Sequence, residues 1–155
     1  MKYAAFIALL CLCYFLCEEY RRFRARRREE LDALYRYFLA IEEEMRLYHT
    51  AKGPQELSPY ESLVRLGLSH GVPFAEQLPA VLSKAALLSI EKGKINAFCS
   101  EFGSGNVVTE EIKLSNIIKN VKNILQKEES DGKKSVDTVR IVAFTVTLCL
   151  VILFL

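Results

Sequence analysis

The sequence predicts an all-α protein, a small helical bundle with one transmembrane helix at each end. Residues 3–17 and 141–155 are apolar or aromatic, apart from Thr145 and Thr147 in the second run. Between these runs, apolar residues recur at three- and four-residue steps, and no stretch alternates like a strand for long. We expect a transmembrane anchor over residues 1–20, a cytoplasmic helical domain over 21–135 and a transmembrane helix over 136–155.

Positive charge lies on the inner side of both apolar runs. Basic residues near a span tend to stay on the cytoplasmic side, so these residues predict the orientation. They are Arg21, Arg22, Arg24, Arg26, Arg27, Arg28, Lys133, Lys134 and Arg140. The predicted location is a membrane crossed twice, with the middle domain in the cytoplasm. A second interpretation adds contact between the arginines and anionic headgroups, which makes membrane lipids a predicted partner.

Both apolar runs are short for a bilayer. A helix of about 15 residues rises roughly 22 Å, whereas a hydrocarbon core of about 30 Å usually requires about 20 residues. A cleaved secretory signal is the alternative for the first run, which lacks a small-x-small cleavage pattern. A buried core helix is the alternative for the second. We favour spans at both ends because charge flanks each run on the inner side.

Composition argues against nucleic-acid binding and against structural metal. The formal net charge is +2, and residues 18–138 are balanced, whereas dedicated nucleic-acid binders usually show a strong basic bias. We therefore expect no nucleic-acid partner. Of the five cysteines, only Cys99 lies outside the apolar runs. The cysteine spacing therefore predicts neither a disulfide framework nor a zinc site.

Periodicity and helix signals place the elements of the middle domain. The first helix is expected to continue to about Thr50 and to end at Gly53-Pro54. Its apolar stripe is Leu31, Leu34, Tyr35, Phe38, Ile41, Met45 and Tyr48. The next helix is expected to begin at Ser58-Pro59-Tyr60-Glu61, with Ser58 as N-cap and Glu61 completing a capping box. Leu63 and Leu66 would supply its buried face, and Gly71 would end it.

Three further helical stretches are expected before the second apolar run. One covers about Ala80 to Lys92, with Val81, Leu82, Ala85, Leu88 and Ile90 facing inward, and Gly93 interrupts it. A short helix containing Ile95, Phe98 and Phe102 follows, and Gly103-Ser104-Gly105-Asn106 breaks it. The last helix begins near Thr109, with the stripe Ile112, Ile117, Ile118, Val121, Ile124 and Leu125. Ser130-Asp131-Gly132 either interrupts this helix or lies within it.

Two motifs give the chain a resemblance to a known family. The first is an apolar-Glu-x-Glu-apolar string on the long helix, present as Ile41, Glu42, Glu43, Glu44 and Met45 and followed by Ser58-Pro59. The second is a Phe-x-x-apolar-Gly-x-x-Asp/Asn pattern before the last helix, carried by Phe98, Phe102, Gly103 and Asn106. With apolar runs at both ends, the chain resembles stage III sporulation protein AB of endospore-forming bacteria. That family usually has aspartate where Asn106 stands and glutamine where Glu110 stands.

The resemblance implies a non-catalytic, membrane-anchored scaffold subunit of the sporulation transenvelope complex, a secretion-like assembly. The family is similar to the cytoplasmic domains of the type II secretion platform protein F. Its implied partners are the cytoplasmic ATPase and the other membrane subunits of the complex. The implied location is the mother-cell membrane around the forespore. The alternative is a membrane-anchored helical signalling or sensory protein that transmits changes across the bilayer.

No catalytic constellation is visible in the sequence, so we expect no enzyme, cofactor, metal or small-molecule substrate. His49 and His70 stand alone, and Cys99 has no basic activator within a turn. Gly103-Ser104-Gly105 lacks the lysine of a phosphate loop. The Glu42-Glu43-Glu44 run reads most simply as a solvated face. The sharper interpretation, motivated by the resemblance, assigns partner contact to Glu42 and Glu44.

Overall fold

A computed structural model describes residues 2–48, 54 and 56–154, with the side chains of 2–6, 133, 151, 153 and 154 excepted. These residues form helices and connecting loops without a strand, so the all-α prediction is confirmed. The helices are α1 (Lys2–Tyr48), α2 (Glu61–Leu66), α3 (Phe74–Lys84), α4 (Ser89–Glu101) and α5 (Val107–Phe154), with a 3₁₀ turn over Ser58–Tyr60. The predicted positions His49, Thr50 and Gly53 lie outside the described residues.

The prediction of a transmembrane helix at each end is wrong. Across the described residues, no helix has a stretch both long enough and apolar enough to cross a membrane. Each apolar run has about 15 residues where a span usually needs about 20. Charged residues continue the same helices immediately, with Glu18 and Glu19 after the first run and Arg140 before the second. The predicted location is therefore also wrong, because it required two helices that span the mother-cell membrane with the middle domain in the cytoplasm.

The chain divides into two compact units. One unit combines the two ends of the sequence, and the other is the middle of the sequence. Met1–Arg26 and Lys127–Leu155 form one, here called the terminal unit. Arg27–Gln126 forms the other, here called the core unit. The boundaries therefore lie inside α1 and α5, whereas the predicted segments ended at residues 20 and 135.

The α1 part of the core unit buries the predicted apolar stripe. Its fully or nearly fully buried side chains are Leu31, Leu34, Phe38, Ile41 and Met45. Tyr48 was expected in this stripe but is 69% exposed, since it is the last residue of α1. Tyr37 was missed and is 1% exposed, with its ring 5.5 Å from that of Tyr60 in an edge-to-face contact.

The predicted helix start at Ser58 differs from the observed one. Ser58–Tyr60 forms a 3₁₀ turn, and α2 begins at Glu61 without a side-chain cap. The Ser58 hydroxyl donates instead to Glu56 Oε1 at 2.7 Å, so the predicted capping box is wrong. Leu63 is buried as expected. The helix ends at Gly67, with φ +115°, rather than at Gly71, because Gly67 adopts the left-handed conformation typical of a helix end.

The region from Pro73 to Glu101 contains two helices whose boundary the sequence misplaced. The expected helix from Ala80 to Lys92 is divided by a break at residues 85–88, and Gly93 lies inside α4. Pro79 lies inside α3, which begins six residues earlier than expected. Leu88 and Ile90 were expected to face inward but are exposed, Ile90 by 75%.

Aromatic side chains join these helices in the centre of the core unit. Phe74 of α3 contacts Phe102 at 4.6 Å between ring centroids, and Phe98 of α4 contacts Phe38 of α1 at 5.8 Å. Leu114, Ile117, Ile118 and Val121 of α5 complete the same core. Ile112 was expected to be buried but is 58% exposed. Residues 130–132 lie within α5, so the helix is continuous there.

The terminal unit is a pair of helical segments linked by polar contacts. Cys13 Sγ lies 3.1 Å from Thr147 Oγ1, and Tyr20 Oη lies 2.6 Å from Ser135 Oγ. Arg24 Nε lies 2.8 Å from Glu128 Oε1. Residue numbers rise along one segment as they fall along the other, so the two segments are antiparallel.

Candidate functional site

The arginine cluster divides into exposed and buried members. Arg21 and Arg22 are exposed and pair with Glu18 at 2.9 and 3.4 Å. The hydrogen bond from Arg21 lowers the pKa of Glu18, the charge of Arg21 and the contact with Arg22 lower it further, and desolvation opposes them. Arg22 also lies 3.6 Å from Glu19. Exposed ion pairs of this kind contribute little to stability, because water and salt screen the two charges.

The remaining predicted orienting residues do not form one site. Arg26, Arg28, Lys134 and Arg140 are exposed, whereas Arg24 is half-buried and Arg27 is buried. The Lys133 side chain lies outside the described part of the structure. The predicted role of orienting spans depended on spanning helices, so we assign these residues by their contacts instead.

Arg27 forms a buried ion pair that the sequence did not predict. Its Nη2 donates to Glu91 Oε1 at 2.7 Å, and both side chains are about nine-tenths buried or more. Removing one partner of such a pair strands the other charge in a medium of low polarity. Arg27 therefore joins α1 to the first turn of α4.

The same network holds the connection between α3 and α4. The Leu88 backbone N–H donates to Glu91 Oε2 at 2.9 Å, and the Ala86 N–H donates to the buried Glu30 Oε2 at 2.6 Å. Glu91 thus serves two donors, the Arg27 guanidinium and the amide before α4. These contacts satisfy backbone groups that the helix itself leaves without partners. They also place Leu88 and Ile90 away from the core.

The acidic string lies on α1 with its two ends anchored in the core. Ile41 and Met45 are buried, Glu42 and Glu44 are half-buried, and Glu43 is exposed. The helix therefore presents three consecutive carboxylates at the border of the core unit on a rigid backbone. Such an arrangement suits recognition of a cationic surface, because complementary charge raises the rate and specificity of association.

The turn between α4 and α5 explains the second motif of the resemblance. Gly103 has φ +87°, a conformation that residues with a Cβ rarely adopt. Asn106 Oδ1 accepts hydrogen bonds from the Thr109 backbone N–H at 2.9 Å and the Thr109 hydroxyl at 2.7 Å. Asn106 therefore caps the start of α5, and an aspartate, usual in the family, is equally suited to that role.

Glu110 closes this turn from inside α5. Its side chain is buried, and Oε1 accepts from the Gly105 N–H at 2.8 Å and from Lys113 Nζ at 3.2 Å. Burial raises the pKa of Glu110, but hydrogen bonds from the Gly103 backbone, Lys113 and the Gly105 backbone outweigh it and lower the pKa overall. Lys113 Nζ also donates to the Glu101 carbonyl at 3.0 Å, so the turn is fixed at both ends.

The nucleophile and ligand candidates do not converge in the described residues. His70 is exposed, and Cys99 is buried in the aromatic core, where burial raises the pKa of its thiol to about 12. Such a thiol is neutral near pH 7 and a poor nucleophile. Within the ranges that the structure describes, no group of His, Cys, Asp or Glu could hold a metal ion.

Sequence reasoning located the acidic string and the α4–α5 turn but missed the buried acids Glu30, Glu91 and Glu128. One signal pointed to Glu91, because an acid in the first turn of a helix commonly accepts from the amide that precedes it. Nothing in the local sequence distinguished Arg27 or Glu30, since both lie in a run of similar charged residues.

Comparison with known proteins found no matching family model, no matching curated protein and no matching solved structure.

Proposed function

We propose that this chain is a non-catalytic helical scaffold subunit of the sporulation transenvelope complex, which links the cytoplasmic ATPase to membrane subunits of that complex. The resemblance to stage III sporulation protein AB supports this proposal. The observation that carries it is the acidic string of α1, held by Ile41 and Met45 at the border of the core unit.

The two motifs carry different weight in this proposal. Gly103 and Asn106 have a structural explanation, since a left-handed residue and an N-cap are needed between α4 and α5. Glu43 has no such role, because its side chain is exposed. Glu42, Glu43 and Glu44 give α1 a local excess of negative charge at the border of the core unit. A basic patch on the ATPase or a membrane subunit would complement that charge.

Capture of partners from sporulating cells tests this function. We would compare the wild-type chain with Glu42→Ala/Glu44→Ala and with a control, Glu101→Ala/Glu111→Ala, which removes two carboxylates from α4 and α5. We expect the first variant to lose at least about tenfold of the captured ATPase, because a few charged contacts commonly contribute 1.4 kcal/mol or more. The control variant should capture as much as wild type.

Two results would reject the proposal. If the wild-type chain captures no ATPase or membrane subunit, the scaffold function fails. If both double variants capture equally, the acidic string is not the contact surface. Far-ultraviolet circular dichroism of each variant would show that the helices remain intact.

A further inference from the structure

The part of α5 that belongs to the core unit has a long exposed side without negative charge. No acidic residue occurs between Glu111 and Glu128. The stripe of α5 that packs into the core lies on one side of the helix. The exposed residues on the opposite side recur at three- and four-residue steps and extend over three turns, about 15 Å. They define what is here called the lysine–amide face: Asn116, Lys119, Asn120, Lys122, Asn123 and Gln126.

The two lysines of this face are not neutralised by other side chains of the same molecule. Within the part of the chain that the structure describes, the side chains of Lys119 and Lys122 make neither an ion pair nor a hydrogen bond. Lys113, on the same helix, differs because its Nζ lies 3.2 Å from Glu110 Oε1. The ammonium groups of Lys119 and Lys122 are therefore available to an acid outside the chain.

The asparagines of the face do not serve the helix that carries them. Asparagine is less favourable inside a helix than alanine, lysine or glutamate, because its short side chain competes for backbone hydrogen bonds. Across the described residues, the side chains of Asn116, Asn120 and Asn123 form no hydrogen bond that would offset this cost. Asn106, by contrast, caps the start of α5. The fold gives no reason for the three amides, whereas contact with a partner does.

We propose that the lysine–amide face binds an acidic helix of another protein. Ammonium groups pair with carboxylates, and carboxamide N–H groups donate hydrogen bonds to them. A helix with acidic residues at three- and four-residue steps presents its carboxylates along one side. That spacing matches the spacing of the donors on α5, so two helices lying side by side can pair over several turns.

The charge of the core unit favours an acidic protein over a nucleic acid. The core unit contains twelve basic and thirteen acidic residues, so it has no basic excess to attract a long polyanion. The face also has neither arginine nor an aromatic side chain on which bases could stack. A short acidic helix needs only the face itself. This inference does not rest on the proposed function, because the acidic string belongs to α1.

Binding of a synthetic peptide to the full chain tests the proposal. The probe is a labelled peptide of about 20 residues, long enough to be helical, with glutamate at three- and four-residue steps and alanine elsewhere. Fluorescence anisotropy at about 50 mM salt, where screening is weak, measures the Kd. The wild-type chain should bind with a Kd below about 100 µM. The same peptide with glutamine in place of glutamate should not bind.

Two matched lysine variants locate the contact. Lys119→Gln/Lys122→Gln should raise the Kd about fivefold, because both charges of the face are lost. Lys84→Gln/Lys94→Gln removes the same charge from exposed positions of α3 and α4 and should leave the Kd within about twofold of wild type.

An asparagine variant separates binding from folding. Asn116→Ala/Asn123→Ala should raise the Tm by about 2–4 °C, because alanine is the better helix former. The same variant should raise the Kd about threefold, because two donors to the carboxylates are lost. A role in folding alone would not give a more stable chain that binds less tightly.

Three results would overturn the proposal. The first is a wild-type chain that does not bind the glutamate peptide or binds the glutamine peptide equally well. The second is binding that either face variant leaves unchanged, or that the Lys84→Gln/Lys94→Gln control weakens as much. The third is tighter binding to a single-stranded RNA of the same length that is lost in Lys119→Gln/Lys122→Gln, which would make a nucleic acid the occupant.

Discussion

Burial sets the protonation of two side chains in the core unit. Desolvation raises the pKa of the Cys99 thiol from 9.0 to about 12. Desolvation, opposed by a hydrogen bond with Gln77, raises the pKa of the Tyr37 hydroxyl from 10.0 to about 12. Both groups must be neutral in the folded chain near pH 7, because an unpaired charge in the aromatic core would cost several kcal/mol.

Stability should therefore fall between about pH 9 and pH 12. Each group has a folded pKa above its unfolded value, so its contribution is complete below the unfolded pKa and is lost as pH rises through the folded pKa. Cys99→Ala and Tyr37→Phe should each flatten this loss, by up to about 1.4 kcal/mol per pH unit. Urea unfolding at pH 8, 9, 10 and 11 measures the slope, which should change from about pH 9 for Cys99→Ala and from about pH 10 for Tyr37→Phe. Slopes that match wild type in both variants would contradict the assigned burial.

Glu110 should contribute in the opposite direction. Its folded pKa is lowered, so its contribution is present above the ordinary value of 4.5 and is lost as pH falls through the folded pKa. Glu110→Gln should lower the free energy of unfolding at pH 7 by about 1–2 kcal/mol, because charged hydrogen bonds to the α4–α5 turn are lost. The deficit should shrink below pH 4. Glu111→Gln, one residue later, is the control and should show little change at either pH.

At the scale of elements, periodicity predicted the long helices and failed at the short ones. α1 and the start of α5 carry apolar residues at helical spacing over several turns, so local pattern and burial agree. The apolar periodicity did not predict the boundary between α3 and α4. Leu88 and Ile90 continue the helical spacing of apolar residues, but their side chains lie outside the core. Their position depends on hydrogen bonds from Ala86 and Leu88 to Glu30 and Glu91.

The same limit applies to the candidate site. The acidic string was visible because three consecutive glutamates stand between apolar residues. The burial of Arg27 could not be predicted from the sequence, because it depends on contact with Glu91, which lies 64 residues later in the chain. Pro79 lies inside α3, and Phe74, Leu78, Val81 and Leu82 bury one face of the helix around it. That burial offsets the hydrogen bond that proline removes.

Removing one side chain of the Arg27–Glu91 ion pair should lower the free energy of unfolding more than replacing both side chains with uncharged ones of similar size. Arg27→Ala or Glu91→Ala alone should destabilise the chain by up to about 3–5 kcal/mol, because one buried charge loses its ion-pair contact. Arg27→Met/Glu91→Gln should recover a large part of that loss, since the glutamine can still accept from the Leu88 N–H. Urea unfolding of the two single variants and the double variant measures the coupling. Additive effects would show that the two side chains act independently.

Two glycines on either side of Phe98 should respond oppositely to alanine. Gly103 has φ +87° with open space around it, so Gly103→Ala should destabilise by about 1 kcal/mol or more through backbone strain alone. Gly93 lies inside α4, also in open space, so Gly93→Ala should stabilise by about 0.5–1 kcal/mol. Thermal unfolding of both variants provides the comparison. Destabilisation by both changes would contradict the open surroundings of Gly93.

At the scale of the whole molecule, the hydrophobic core belongs to the core unit, which is one continuous stretch of the sequence. All residues of the central hydrophobic cluster lie between Leu31 and Val121. That cluster draws on every helix from α1 to α5, so the core unit contains its own complete interior. A domain of about 100 residues with its own core is large enough to fold alone.

A fragment of residues 27–126 should therefore be helical and unfold cooperatively. A shorter fragment of residues 27–101 removes Leu114, Ile117 and Val121 from the core and should not fold, because the remaining helices would expose the face that α5 covers. Circular dichroism during urea unfolding distinguishes the two. Loss of cooperativity in the longer fragment would show that the terminal unit is needed for folding.

The shared carboxylate of Glu91 has a consequence for evolution. One oxygen neutralises Arg27 and the other holds the Leu88 amide, so a change at position 91 disturbs two attachments at once. Among homologues, positions 27 and 91 should therefore co-vary: where one residue is uncharged, the other should be uncharged too. Position 26 is adjacent in the chain but exposed, so it should vary independently of position 91.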